Sequence, residues 1–120
     1  EGKNALFIAA KLERTTLRRA QIPSAIFEDS QLGEVDAEGA DMRQCIFHRA
    51  KAVRTRFSRA DLTYADFSHA DISGSDFSHA TLFRTKFHRT TEEETIFTNR
   101  SAALGDDEDL AEAESWQPRQ

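Results

Sequence analysis

The 120-residue sequence holds one cysteine, one methionine, one tryptophan and one tyrosine, only two prolines, and no long apolar run. A single cysteine, Cys45, excludes an internal disulfide framework and fits a reducing compartment or indifference to redox. No stretch approaches the ~18 apolar residues of a membrane span. The opening "EGKNALFIAAKLER" has neither the apolar core of a signal peptide nor an initiator methionine. These absences predict a cytoplasmic chain without membrane association, cut from a longer protein. Excess charge of one sign is also missing from most of the chain, since residues 1–100 carry 15 Lys+Arg against 15 Asp+Glu. The net charge of −5 comes from the tail, where Asp106, Asp107, Glu108, Asp109, Glu112 and Glu114 face only Arg119.

What the sequence has in excess is phenylalanine, nine in all, and a period of five. In "ADLTYADFSHADISGSDFSHA", residues 60–80, a small residue, an Asp and a large apolar residue return every five positions. A helix would spread such a set by about 140° per step, and a strand would flip it to the other face. The register holds from residue 5 to residue 97. Its large positions run Phe7, Leu12, Leu17, Ile22, Phe27, Leu32, Ala37, Met42, Phe47, Ala52, Phe57, Leu62, Phe67, Ile72, Phe77, Leu82, Phe87, Glu92, Phe97. Two residues before each stands Ala, Ser, Thr, Cys or Val. Residues two apart on an extended segment point the same way, so both positions face inward and a corner must turn the chain between units. If four sides close a coil, positions twenty apart stack, and the column 7, 27, 47, 67, 87 is phenylalanine throughout. The structural core is therefore predicted at Phe7, Phe27, Phe47, Phe67, Phe87, Leu62, Ile72, Phe77 and Leu82.

"ADLTY", "ADFSH" and "ADISG" at residues 60–74 fit the repeat A(D/N)LXX, and on them the chain resembles the pentapeptide-repeat proteins over residues 5–97. The resemblance implies an all-β fold, a right-handed quadrilateral β-helix, as a solenoid domain over residues 1–100. Residues 101–120 are expected to form an acidic C-terminal capping helix or tail. Asp106 or Asp107 can cap its start, Leu110, Ala113 and Trp116 recur at helical spacing, and Pro118 ends it. Phe83 and Tyr64 are the expected surface beneath it. Three departures from the motif stand out: Ala37 and Ala52 underfill central positions, Glu92 places a charge at one, and "TTEEET" at 90–95 is the expected weak stretch of the coil.

No catalytic constellation and no cofactor site emerge, and the expected class is non-enzymatic. His48, His69, His79 and His88 all fall on outward positions, and His48 and His88 lie two coils apart, about 9 to 10 Å, too far to share one Zn²⁺. No metal site is expected. Asp61, Asp66, Asp71 and Asp76 occupy four different sides and cannot converge on one Ca²⁺. Cys45 takes a small inward position and reads as an inert buried thiol. Two outward features are candidate sites. Arg43, Arg49, Lys51, Arg54, Arg56 and Arg59 form a basic band with no acidic residue among them. Leu6, Ile26 and Ile46 share one outward column, with Ile8 two residues along, and form a candidate interface.

These features point to a module for protein–protein interaction or structural support, part of a larger bacterial protein. Its expected partner is another protein or an upstream domain of the parent chain, with a homodimer as an open alternative. The resemblance implies two further readings. Some family members mimic DNA and bind topoisomerases (gyrase), protecting them from quinolones, and others form the repeat tail of a secretion-system accessory protein. Mimicry copies the phosphate charge of a duplex, and a formally neutral rod does not supply it. The same balance argues against nucleic acid as a partner.

Overall fold

The computed structural model describes residues 5–116. The chain winds as an all-β solenoid whose rungs are joined by parallel bridges twenty residues apart, from Leu6↔Ile26 through Asp71↔Thr91. Each unit contributes so short an extended piece that only β1 (Asp76–Phe77) and β2 (Ile96–Phe97) form a two-residue ladder, parallel and again twenty apart. At each rung the central residue donates its amide to the next coil, as Phe27 does to the Ile46 carbonyl at 2.7 Å. The preceding residue donates back, as Ile26 does to the Ala5 carbonyl at 2.9 Å.

The corners explain the five-residue step. The small residue of one unit donates its N–H to the central residue of the unit before, as Ala60 does to the Phe57 carbonyl at 3.1 Å, closing a four-residue turn. The third residue of that turn has positive φ at every unit from Ala9 to Glu94. Sixteen of these positions are not glycine, a conformation that costs L-residues roughly 1–2 kcal/mol each and is offset by the inter-coil hydrogen bonds on both sides. Gly39 and Gly74 fill the other two, and at Gly74 a Cβ would lie 2.9 Å from Arg54 Cγ.

The aspartates of the motif also act at corners. Asp61, Asp66, Asp71 and Asp76 each accept the N–H two residues on with Oδ1, at 2.8 to 3.1 Å. A short carboxylate is the side chain that reaches its own backbone in this way, so the recurring Asp is turn chemistry.

The core stands where the register puts it. Phe27, Phe47, Phe67, Phe87, Leu62, Ile72, Phe77 and Leu82 are buried, and Phe7, in the first coil, is half-buried. Phe7, Phe27, Phe47, Phe67 and Phe87 form one stack, with ring centroids 4.4 to 5.4 Å apart and planes within 9°. Phe57, Phe77 and Phe97 form a second stack that meets the first edge to face, as at Phe57 and Phe67, 5.5 Å apart and 84° between planes. Ala37 and Ala52 are fully buried. Polar inward residues return their hydroxyls to the coil before: Thr55 Oγ1 donates to the Leu32 carbonyl at 2.5 Å and Thr85 Oγ1 to Leu62 at 2.7 Å. Among the described residues no buried side-chain polar atom lacks a partner.

Beyond residue 97 the period breaks. The next bridge, Lys86↔Leu104, spans eighteen residues, and Ala102 and Leu104 accept the amides of Arg84 and Phe87. Helix α1 (Glu108–Ser115) follows, with Asp107 as its N-cap accepting the Leu110 N–H at 3.0 Å. Pro118 lies outside the described residues. No α1 residue is buried, and Leu110, Ala113 and Trp116 are exposed, so the apolar spacing seen in the sequence buries no face of the helix. Tyr64 and Phe83 are likewise exposed, paired edge to face at 5.8 Å, and α1 meets a different flank.

Candidate interaction surfaces

The two ends of the solenoid differ. At the C-terminal end Arg100 lays its guanidinium over Phe97 at 4.4 Å and Phe87 at 4.9 Å, and donates to Glu92 Oε1 at 2.5 Å. Glu92 also accepts the Thr90 hydroxyl. The charge at a central position thus belongs to an end cap, and the stretch 90–95 continues the coil regularly: Ile72 donates to the Thr91 carbonyl and Gly74 to Glu93. Sequence spacing exposed Glu92 as an anomaly, and the partner eight residues on was the missing half. Arg100→Ala is expected to destabilise the protein by about 1–2 kcal/mol, since it strips a cation–π contact and leaves a half-buried carboxylate unpaired. Adding Glu92→Leu to that variant restores most of the loss in a urea titration if the cap works this way.

At the N-terminal end nothing among the described residues pairs with the outer edge of the first coil. The amide and carbonyl of Gln31 face back onto the first coil, bonded to the Ala10 carbonyl and the Leu12 amide, so those of Lys11 face away from the stack. Lys11, Thr16 and Gln21 make no backbone hydrogen bond on that side among the described residues. Phe7, Leu12 and Leu17 are half-buried where Phe27 and Leu32 one coil on are buried. The outward column begins at this end: Leu6 is 67% exposed and Ile8 is exposed, while Ile26 and Ile46, stacked above Leu6, are half-buried.

The basic band is largely paired with the neighbouring coils. Arg49 reaches Glu28 at 2.5 Å and Asp29 at 2.9 Å, and Arg43 forks onto Asp41 at 2.7 Å. Arg54 lies 3.5 Å from Glu34 and Arg56 3.6 Å from Glu38. The Arg49 hydrogen bond holds the Asp29 carboxyl below the usual carboxylate range, and the Arg43 bond does the same for Asp41. Only Lys51 and Arg59 of the six have no ion pair among the described residues. The twenty-residue column carried the signal, because Arg49 stands over Asp29 and Arg54 over Glu34. A surface neutralised in this way offers an anion little net attraction. Cys45 is buried and its thiol is pushed up to about 12 by desolvation, which leaves it unreactive.

The third surface is one the sequence did not reveal. His88 occupies an outward position yet is 2% exposed, because residues 105–114 cover it. Glu114 of α1 accepts from His88 Nε2 at 2.9 Å and from His69 Nε2 at 2.8 Å. Those bonds, His88's first and His69's second, hold the Glu114 carboxyl below its ordinary range. Between helix and flank lies a cleft of about 340 Å³, bordered by Ser68, Lys86, Leu104 and Leu110. His48 packs edge-on against His69 at 5.5 Å, and His79 stands apart on another side.

The family model for pentapeptide repeats matches residues 25–63, 40–78 and 60–99, with eight copies of the repeat. Among solved structures, a pentapeptide repeat protein from the Arabidopsis thaliana thylakoid lumen aligns with a TM-score of 0.72 at 21% identity, covering 86% of this chain and 72% of that one. A pentapeptide repeat protein of the cyanobacterium Cyanothece 51142 aligns with a TM-score of 0.61 at 19% identity, covering 82% of this chain and 62% of its own. A plasmid-mediated fluoroquinolone resistance protein aligns at only 0.39 with 15% identity, covering 96% of this chain and 85% of that one, and carries no argument. Among curated proteins none matches.

Proposed function

The chain belongs to the pentapeptide-repeat family, and from that premise we propose that it is a non-enzymatic module for protein–protein interaction or structural support, docking through its N-terminal end. The observation that carries this reading is the contrast between the ends. Leu104 pairs with Lys86 and Phe87 at one end and Arg100 covers the rings of Phe87 and Phe97, while the other end, among the described residues, presents the backbone groups of Lys11, Thr16 and Gln21 beside Phe7, Leu12 and Leu17. Open ladder edges attract extended backbone, and apolar side chains at the edge add affinity and register. The occupant is a protein segment that adds a parallel rung, such as a further coil of a longer chain. The exposed Leu6 and Ile8, continued by Ile26 and Ile46, form the lateral part of the same surface. Right-handed quadrilateral winding belongs to the proposal, supported by the twenty-residue bridges, as does a division between a coil through residue 100 and a separate C-terminal segment.

Light scattering and amide exchange test it. At high concentration the isolated chain is expected to pair through this end, and Leu6→Lys with Ile26→Lys to abolish pairing without loss of the β signal in circular dichroism. Restoring the parent chain should slow exchange at Lys11, Thr16 and Gln21. A strictly monomeric chain whose exchange at these amides is the same in the parent protein rules the end out as a docking surface.

DNA mimicry finds no support in the charge distribution. Duplex DNA carries one negative charge per ~1.7 Å of axis, whereas Arg43, Arg49, Arg54 and Arg56 stand between the acidic residues of this rod.

A further inference from the structure

The Glu114 contact joins a helix with no buried residue to two different coils, and its chemistry is specific. Asp107 donates its backbone N–H to His88 Nδ1 at 3.0 Å, so that nitrogen carries the lone pair and the single ring proton sits on Nε2. Nε2–H then donates to Glu114 Oε1, and His69 donates to Oε2. One ionised carboxylate therefore satisfies both imidazoles, and the N-cap residue fixes the tautomer of the buried one. Nε2 of both rings and the carboxylate lie within 4.8 Å of one another, a set that could suggest a metal. A metal on His88 Nε2 would move the ring proton to Nδ1, directly against the Asp107 N–H. Histidine ligands ordinarily donate their second nitrogen to an acceptor, so the arrangement suits protons and not a cation.

We infer that helix α1 is an acid-released strap: ionised Glu114, bridging His69 and His88, clasps it to the solenoid flank, and acidification frees it and opens the cleft at Ser68, Lys86 and Leu104. Protonated Glu114 keeps one acceptor oxygen where two N–H groups need it. The sign follows from the carboxylate. A group held below its ordinary range contributes stability above about pH 4.3 and loses it as pH falls through the folded value. The other charged groups around the clasp are His48 against His69, Lys86 at the cleft, and Asp106 and Asp107 at the helix start. Asp106 is held by the Arg89 amide at 2.7 Å. None places a second carboxylate in hydrogen-bond contact with either imidazole of the clasp.

Trp116, the only tryptophan, sits one residue past α1 and reports on the strap alone. Its fluorescence anisotropy is expected to fall between pH 7 and pH 3 while the β circular dichroism of the solenoid persists. Glu114→Gln should show the low, acid value already at pH 7, and amides 108–115 of that variant should exchange as fast as those of an unfolded peptide. His69→Ala, which keeps the buried His88 bond, should fall between the two. A Gln variant as docked at pH 7 as the natural chain, or a natural strap still docked at pH 3 on an intact solenoid, overturns the proposal. So does added Zn²⁺ raising the anisotropy at pH 7 in the natural chain but not in Glu114→Gln, which would make the cluster a metal centre.

Discussion

Phe67→Asp is expected to leave the chain unfolded at 25 °C. Phe67 is fully buried at the junction of the two aromatic stacks, stacked on Phe47 at 4.4 Å and Phe87 at 5.4 Å and edge-on to Phe57 and Phe77. Removing a buried phenylalanine costs about 3–5 kcal/mol, and burying an unpaired carboxylate adds several more, against a total stability of order 5–15 kcal/mol for a small domain. The four rings packed against it, Phe47, Phe57, Phe77 and Phe87, carry no charge and cannot pair with the introduced carboxylate. The control is Gln31→Asp, the outward neighbour of Leu32, which bridges to Lys11 and Lys51 and can only gain from a negative charge. Circular dichroism should show coil for the first variant and an unchanged β spectrum with an unchanged urea midpoint for the second. Similar losses in both would contradict the inward and outward register on which the fold rests.

The second large effect is at a corner. Ala60 is buried completely, with its N–H bonded to the Phe57 carbonyl, and Ala40 and Ala80 occupy the equivalent positions one coil away. Inserting the three extra carbons of Ala60→Leu where the chain turns forces the Phe57–Ala60 corner outward, at a cost of about 1–3 kcal/mol. The same substitution on the exposed face of α1, Ala113→Leu, should stay within about 0.5 kcal/mol. Urea midpoints of the two variants distinguish a solenoid with steric corners from one whose alanines are merely tolerated. If Ala60→Leu is neutral, the small positions are not the constraint that sets the period.

The repeat makes this protein unusually legible, because one periodic rule dictates which residues meet. A period of five with two inward positions per unit fixed every buried large residue from Phe27 to Phe87, and a twenty-residue coil put like side chains in register. Even the cancellation of the basic band was present in the sequence as Arg49 over Asp29 and Arg54 over Glu34. The recurring Asp was legible as a position and not as a role, since an Asx turn depends on a carboxylate meeting an amide two residues on, which only the corner geometry creates.

What lay beyond the sequence begins where the period ends. Ser68 and His88 hold outward positions and are nevertheless buried, and Glu92 looked like a flaw until Arg100 came back over the last rings. Translational repetition determines contacts between one coil and the next, so composition and spacing alone settle the core. The tail follows no such rule: where Arg100, Asp107 and Glu114 land depends on the path of a non-repeating connection of some ten residues, and that path is decided by packing and hydrogen bonds that exist only once the solenoid has formed.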